Sequence, residues 1–370
     1  MDSKKRKTVP DSIRPIVKTK RKWNSSTIIL TAAAVVIAAV AYKFFLSNSR
    51  QSKILADSLE IKTPAFNVVD LPGRGKGLIA SRDIEQGELL IKEKPLILVP
   101  SSTTQSPVKV LKERLNALTQ DERNAFHSLS YVTPGRDSNT QDSLSDDEMV
   151  LAIFQTNAIS AGDSAGLFPH TARLNHGCSK AFNSVYSWRP HEGHLVVHAL
   201  KPIKRGQELL TTYTDTKRPR RERQHYLKSY YDFTCSCSVC SLPESESLAS
   251  DERLSKMSSL HQTFASWGTR EVDGINASLI AKAIWEIGEE EGYWSERGRL
   301  AADVVHIAAA HSDENAVLAW AKLAHTWFSI ELGVDSTQAL QMQALLSNPR
   351  THRAWASREP QSIELPDVIS

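Results

Sequence analysis

Cys235-Ser236-Cys237-Ser238-Val239-Cys240 places three thiols within six residues, and the fourth cysteine of the chain, Cys178, lies 57 positions upstream. Three sulfurs in so short a run cannot all pair with one another, and the C-x-C spacing strains a disulfide. A tetrahedral zinc ion suits the set, with three thiolates from a tight loop and the fourth from elsewhere in the fold. The other reading is four free, buried thiols. Every cysteine of the chain fits one such site, with none left over.

Four cysteines in 370 residues exclude a disulfide-stapled secreted scaffold. With 41% hydrophobic and 24% charged residues, the chain is apolar enough for real cores and is neither a multi-span membrane protein, a collagen nor a fully disordered chain. Its net charge of +3 is unevenly spread. Residues 1–22 hold nine Lys/Arg and two Asp, a local +7, so the remainder is −4. The body therefore has no charge signature of a nucleic-acid partner.

Upstream of the cysteine loop the pattern is β-rich. Phe66–Asp70, Gly77–Ala80, Glu88–Ile91 and Leu96–Pro100 are strand candidates, with Gly73–Gly77 and Glu85-Gln86-Gly87 as turns. Pro107 is placed to start a helix, and Val108, Leu111, Leu115 and Leu118 follow at helical spacing. Gly135–Asp142 reads as a mobile, polar loop. Ser145-x-x-Glu148 has the form of a capping box before an apolar run that ends near Ile159, after which a Gly-containing loop is expected. Phe182–Trp188 and His194–Leu200 flank a Pro/Gly turn as in a hairpin, and Glu208–Tyr213 is a further short strand. From about Pro243 helical periodicity takes over. Ile280, Ala283, Ile284 and Ile287 mark one face, and Val317, Ala321, Ala324 and Phe328 mark another behind the start signal Ser312-Asp313-Glu314. Six of the eight tryptophans lie beyond residue 260 and read as helix-packing residues.

Four blocks together carry a family resemblance. Asn175-His176-Gly177-Cys178 looks like the Asn-His-Ser-Cys motif of SET-domain lysine methyltransferases. Gly206-Gln207-Glu208-Leu209-Leu210-Thr211-Thr212-Tyr213 looks like that family's Gly-Glu-Glu-Leu…Tyr motif. Gly73-Arg74-Gly75-Lys76-Gly77 sits where the family carries its glycine-rich turn, and Cys235–Cys240 resembles its post-SET zinc loop. The helical insert and helical C-terminus are similar to the SMYD-like branch, as a fungal-type protein without a MYND zinc finger, for which no cysteines are spare. The resemblance implies an α+β fold: a β-rich SET domain over 61–241, with a helical insert at about 107–160 and a zinc loop at about 230–241, then an all-α domain over 242–370.

The family's activity would make this chain an enzyme that transfers a methyl group from S-adenosylmethionine to a protein lysine, on a histone or another protein. The resemblance assigns Arg74, Gly75, Lys76 and Gly77 to the cofactor turn, and Asn175, His176 and Asn157 to further cofactor contacts. Phe233 would stack on the adenine. Tyr213 would be the essential catalytic tyrosine, also touching the cofactor, and Tyr231 and Tyr186 would line the lysine channel. Zinc on Cys178, Cys235, Cys237 and Cys240 would be structural, ordering the segment that delivers Phe233. The competing reading is a catalytically inactive SET-fold scaffold that binds partners through its helical C-terminus. Two departures stand out: Gly177 replaces the motif serine, and Ser179-Lys180-Ala181-Phe182 looks like a two-residue insertion ahead of Asn183, expected to alter the channel wall.

Trp23–Tyr42 is a 20-residue run without a charge, long enough at about 1.5 Å per residue to span a bilayer core. Residues 23–46 are expected to be a membrane anchor behind a basic tail (1–22) and ahead of a polar linker (47–60). A cleaved signal peptide is the other reading of this run. The positive-inside rule would send the body across the membrane, whereas the methyl-transfer chemistry needs a cytosol-like compartment. The segment resembles anchors of mitochondrial outer-membrane import receptors, which implies a catalytic domain facing the cytosol from that membrane or the endoplasmic reticulum. Lys4–Lys7 and Lys20–Lys22 resemble nuclear-import patches, so the nucleus is the alternative location.

Overall fold

A computed structural model of the chain describes residues 64–133 and 144–367. The expected tail, anchor and linker (1–60) and the polar loop Gly135–Asp142 lie outside the described residues. Among the described residues no helix is long and apolar enough to cross a membrane. The described residues belong to one unit, Thr63–Ser370.

The fold is α+β. Strands β1 (Phe66–Leu71) and β2 (Gly75–Ala80) form an antiparallel hairpin in which Gly73 and Gly75 take positive φ. Strand β10 (Glu208–Thr211) pairs antiparallel with β2 and parallel with the two-residue β7 (Asn175–His176), giving the order β1-β2-β10-β7. A second sheet has the order β3-β9-β8, from Leu89–Glu93, His194–Ala199 and Ser184–Arg189. A third has β4 (Ile97–Pro100) beside β6 (Ser164–Leu167) and β5 (Ala158–Ala161). This last hairpin stands where a loop is expected. Its strands, Ala-Ile-Ser-Ala and Ser-Ala-Gly-Leu, carry little intrinsic β preference apart from Ile159, and pairing with β4 supplies the order. Gly166 allows the close approach, since a β-carbon there would meet the Phe168 ring at 2.6 Å.

The insert contains α1 (Pro107–Asn116), which does begin on its proline, α2 (Gln120–His127) and α3 (Asp146–Asn157). Complete capping boxes start α2 at Thr119/Glu122 and α3 at Ser145/Glu148. Their apolar faces close over Leu111, Phe126 and Ile153. Helix α4 (Arg220–Tyr231), which no strong sequence signal announces, leads into the cysteine loop through Asp232 in the left-handed conformation. Helices α5 (Glu244–Ala265), α6 (Gly274–Glu290), α7 (Arg297–Ala310), α8 (Glu314–Leu332) and α9 (Thr337–Ser347) then pack as expected around a core that includes Trp285, Trp320 and Trp327.

The helical part is joined to the β region by a shared core as well as by surface ties. Phe182 and Leu200 are buried within the helical core cluster, and the Phe182 ring packs edge-on against Tyr293 at 5.9 Å. The Lys201 ammonium donates to the carbonyls of Lys180 (3.0 Å) and Gly292 (2.7 Å). Arg189 forks onto both carboxylate oxygens of Asp335 at 2.7 and 2.8 Å.

Within 179–182, Lys180 and Phe182 face the helices while Ala181 packs against the cysteine cluster with Tyr213 and Tyr231; none of residues 179–183 lines the cavity described below, against the expectation that this segment alters the channel wall. The segment also explains Gly177. The inserted turn folds back through hydrogen bonds from Ala181 and Phe182 N–H to the Cys178 carbonyl. A β-carbon at 177 would meet Phe182 N at 2.9 Å, Ala181 C at 3.1 Å and Phe182 Cα at 3.2 Å. The turn occupies the space that a side chain at 177 would need. Gly177→Ser is expected to destabilise the protein by about 1–3 kcal/mol through overpacking against backbone. Urea unfolding checks this, and an unchanged midpoint would refute the close packing.

Candidate active site

A cavity of about 250 Å³ opens where the β1–β2 turn, the end of α3, β7, the exit of β10 and the segment after α4 converge. Arg74 enters it from the turn, Lys76 from β2, Asn157 from α3, Asn175 from β7 and Tyr186 from β8, and Tyr213, Tyr231 and Phe233 also line it. Eight of the expected site residues thus meet on one cavity, although they are spread from residue 74 to residue 233.

Pleating explains how neighbours divide. Side chains alternate along a strand. Asn175 turns to the cavity, while His176 turns inward and is 4% exposed. Gly75 and Gly77 lie in β2 and do not line the cavity. Gly77 serves close packing instead. A β-carbon there would lie 2.5 Å from Leu71 Cδ1, 2.9 Å from Asn175 Nδ2 and 3.0 Å from Glu208 Oε1.

The polar wall is held by Glu208, which accepts from Arg74 Nη1 at 2.6 Å and from Asn175 Nδ2 at 2.9 Å. Asn157 donates both amide contacts to backbone, to Ser130 O (2.7 Å) and Ile153 O (2.8 Å), so a ligand would meet its oxygen. The opposite wall is aromatic. The Tyr213 ring stands 4.9 Å from Tyr231 and meets Phe233 edge-on at 6.5 Å. The Tyr213 hydroxyl donates to Leu174 O at 2.7 Å. Burial, joined by Tyr231, pushes the Tyr213 phenol up and keeps it protonated.

Behind this wall lie the cysteines. Their four sulfurs are all within 4.8 Å of one another, with Cys178 and Cys240 at 3.6 Å. Zinc–sulfur bonds of about 2.3 Å in a tetrahedron give edges of about 3.8 Å, so the donor set fits one such ion and leaves no open position. His176 bridges this cluster and the aromatic wall. Its Nε2 is 3.3 Å from Cys178 Sγ, and its Nδ1 accepts the Tyr213 backbone N–H at 3.0 Å. Burial lowers the His176 pKa to about 4, so the ring is neutral.

Three contributors escape a reading of the sequence. Glu208 is visible there only as a motif letter. Arg173 lines the cavity and donates to Ser128 O and Oγ at 2.8 and 2.7 Å, with nothing local to mark it. Arg223 is fully buried near the thiols and lies 3.4 Å from Asp251 Oδ1. Burial works to lower its guanidinium, yet Cys178 and Cys240 outweigh that and hold it raised. Its one available signal is spacing, because Arg223 and Leu227 fall four apart on the inward face of α4.

Comparison with known proteins gives this arrangement a place. The SET domain family model matches residues 75–214. Histone-lysine N-methyltransferase set5 of Schizosaccharomyces pombe is 30% identical over 296 residues, covering 79% of this chain and 86% of that protein. N-lysine methyltransferase SMYD2 of Gallus gallus is 33% identical over 82 residues, 22% of this chain and 18% of that protein. Histone-lysine N-methyltransferase SMYD3 of Mus musculus is 27% identical over 122 residues, 31% of this chain and 28% of that protein. A relative this similar over so much of both chains answers the question that the motif blocks raised: this chain belongs to the SET-domain family.

Proposed function

We propose that the protein is a protein-lysine N-methyltransferase that uses S-adenosylmethionine, with a structural zinc ion on Cys178, Cys235, Cys237 and Cys240. The observation that carries this reading is the cavity itself: a half-buried, protonated Tyr213 among aromatic rings faces a polar wall of Arg74, Lys76, Asn157 and Asn175. By their descriptions, two of the relatives named above are histone-lysine N-methyltransferases and one is an N-lysine methyltransferase. Their substrates make a lysine of a histone or another protein the class to test here.

S-adenosylmethionine supplies a methyl group activated on a sulfonium. Arg74, Lys76, Asn157 and Asn175 are assigned to holding its polar parts, and Phe233 to covering its base. Tyr231, with Tyr186 at 39% exposure, is assigned to the lysine side. A lysine amine must be neutral to attack, against a free pKa of about 10.4. Aromatic, poorly hydrated walls disfavour the ammonium and so lower that value. They also fix the approach direction of the nucleophile. Tyr213 spends its proton on Leu174 O, which leaves its oxygen lone pairs to polarised C–H groups of the transferred methyl.

Tyr213→Phe keeps the ring and removes the hydroxyl. It is expected to lower kcat by about 10²-fold or more, on the scale of losing one preorganised polar contact in a closed site, with cofactor affinity changed only a few-fold. Calorimetry with S-adenosylmethionine, together with transfer of labelled methyl into cell-extract protein, checks both parts. Absence of cofactor binding by zinc-loaded wild type would sink the enzyme reading and favour the non-catalytic scaffold.

The metal assignment has its own test. Elemental analysis is expected to find one zinc per chain, and its removal by chelation is expected to lower both Tm and cofactor affinity, because the loop carrying Phe233 loses its tie. A metal-free protein with unchanged Tm and cofactor affinity would return the cysteines to the free-thiol reading.

A further inference from the structure

We infer that His176 is a positioning residue that ties the four-cysteine cluster to Tyr213, so that metal occupancy sets the placement of the tyrosine. This rests on the proposed zinc site and on the proposed role of Tyr213. It goes beyond the cofactor contact that the family motif implies for His176, because the side chain is turned away from the cavity and both ring nitrogens are committed elsewhere.

The geometry fixes the tautomer. The Tyr213 backbone N–H is a donor, so Nδ1 must be the unprotonated nitrogen that receives it at 3.0 Å. The ring proton then sits on Nε2, 3.3 Å from Cys178 Sγ, and is donated to sulfur. A metal-bound thiolate is the stronger acceptor for that N–H, and such outer contacts orient a metal's ligands. At the other end, β10 stops at Thr211, so no ladder partner remains for the Tyr213 N–H two residues on. His176 accepts it where the chain leaves the sheet. The Tyr213 hydroxyl is held separately, by Leu174 O at 2.7 Å, on the residue that precedes β7. Backbone and phenol of Tyr213 are thus both fixed by Leu174–His176, and His176 in turn is fixed by Cys178. The ring also packs 6.2 Å from Phe233 and 5.5 Å from the Tyr213 ring, so a shift of the imidazole would disturb the whole aromatic wall.

The two nitrogens can be tested apart. An asparagine amide reaches the Nδ1 position and a glutamine amide the Nε2 position. Zinc-loaded His176→Asn is expected to keep the Tyr213 amide protected from hydrogen exchange while releasing zinc to a chromogenic chelator about tenfold faster, the scale of a lost outer-shell contact. His176→Gln is expected to show the converse: release within about twofold of wild type, and exchange at Tyr213 about tenfold faster or more. In the wild type, stripping zinc is expected to deprotect the peptide over Thr211–Thr214 and leave His194–Ala199 protected. This last measurement decides the matter should either variant fail to fold. Equal protection of the Tyr213 amide with and without zinc would overturn the tie. So would identical behaviour of the two variants, or a loss confined to cofactor affinity. None of these readouts uses methyl transfer. Failure to find turnover would count against the proposed activity and leave the tie standing.

Discussion

Two residues of parallel pairing hold the site together. Asn175 and His176 lie alongside Leu210 and Thr211, and the next residue, Gly177, donates its N–H to Thr211 O at 2.8 Å. Parallel neighbours need a long connection, and here it runs through the β8–β9 hairpin. The pairing sets Asn175 on the cavity, His176 behind it, Cys178 at the cluster and Tyr213 just past the strand end. Asn183 reinforces the register as a peptide would, donating to Glu208 O at 2.9 Å and accepting from Leu210 N–H at 2.9 Å. If these contacts slipped by one residue, the polar wall and the cysteine cluster would exchange faces.

The helical C-terminus depends on the same segment. The turn after Cys178 sends Phe182 into the helical core, while Lys180 packs against Gly292 and gives its carbonyl to Lys201. Burying one phenylalanine is worth about 1.5–3 kcal/mol, comparable with the margin on which small folds survive. A short stretch, Asn175 to Asn183, thus serves the cavity, the cysteines and the docking of the helices at once. Position 177 is a glycine in this stretch because the turn that follows leaves no room for a side chain there.

Much of this was legible from residue order, and what was not has physical reasons. The four motif blocks, the proline and capping-box helix starts and the tryptophan-rich helical core are local signals, and the folded chain keeps them. The β5–β6 hairpin was not legible because its strands, Ile159 apart, have little β preference and exist through pairing with β4. The packing of the 179–182 segment was not legible because Lys180 and Phe182 find their partners, Gly292 and Tyr293, about a hundred residues away in sequence. Arg173 and Arg223 draw their meaning from burial, which no single position reveals. His176 was legible as a motif residue, but which way its ring points is decided by pleating and by where β10 ends. The expected anchor at 23–46 lies outside the described residues, so the fold bears on the enzyme reading alone.

The buried charge of the cluster links these features. Four thiolates around one doubly charged zinc, as proposed, carry a net charge of about −2 in a place where uncompensated charge is costly. Two groups meet that charge from the protein side. Arg223, fully buried on α4, is drawn by Cys178 and Cys240 and braced by Asp251 on α5. The His176 Nε2–H is directed at Cys178. Apart from the cluster, Arg223 donates from Nη1 to Arg218 O and Asp251, while its Nε makes no hydrogen bond among the described residues. Without the cluster's charge the buried guanidinium would keep only Arg218 O and Asp251 as partners, which weakens α4, the helix that delivers Tyr231 and leads to Phe233. The cysteine cluster is therefore better understood as the electrostatic counterpart that lets α4 bury an arginine and hold the aromatic wall in place than as a staple on the loop alone.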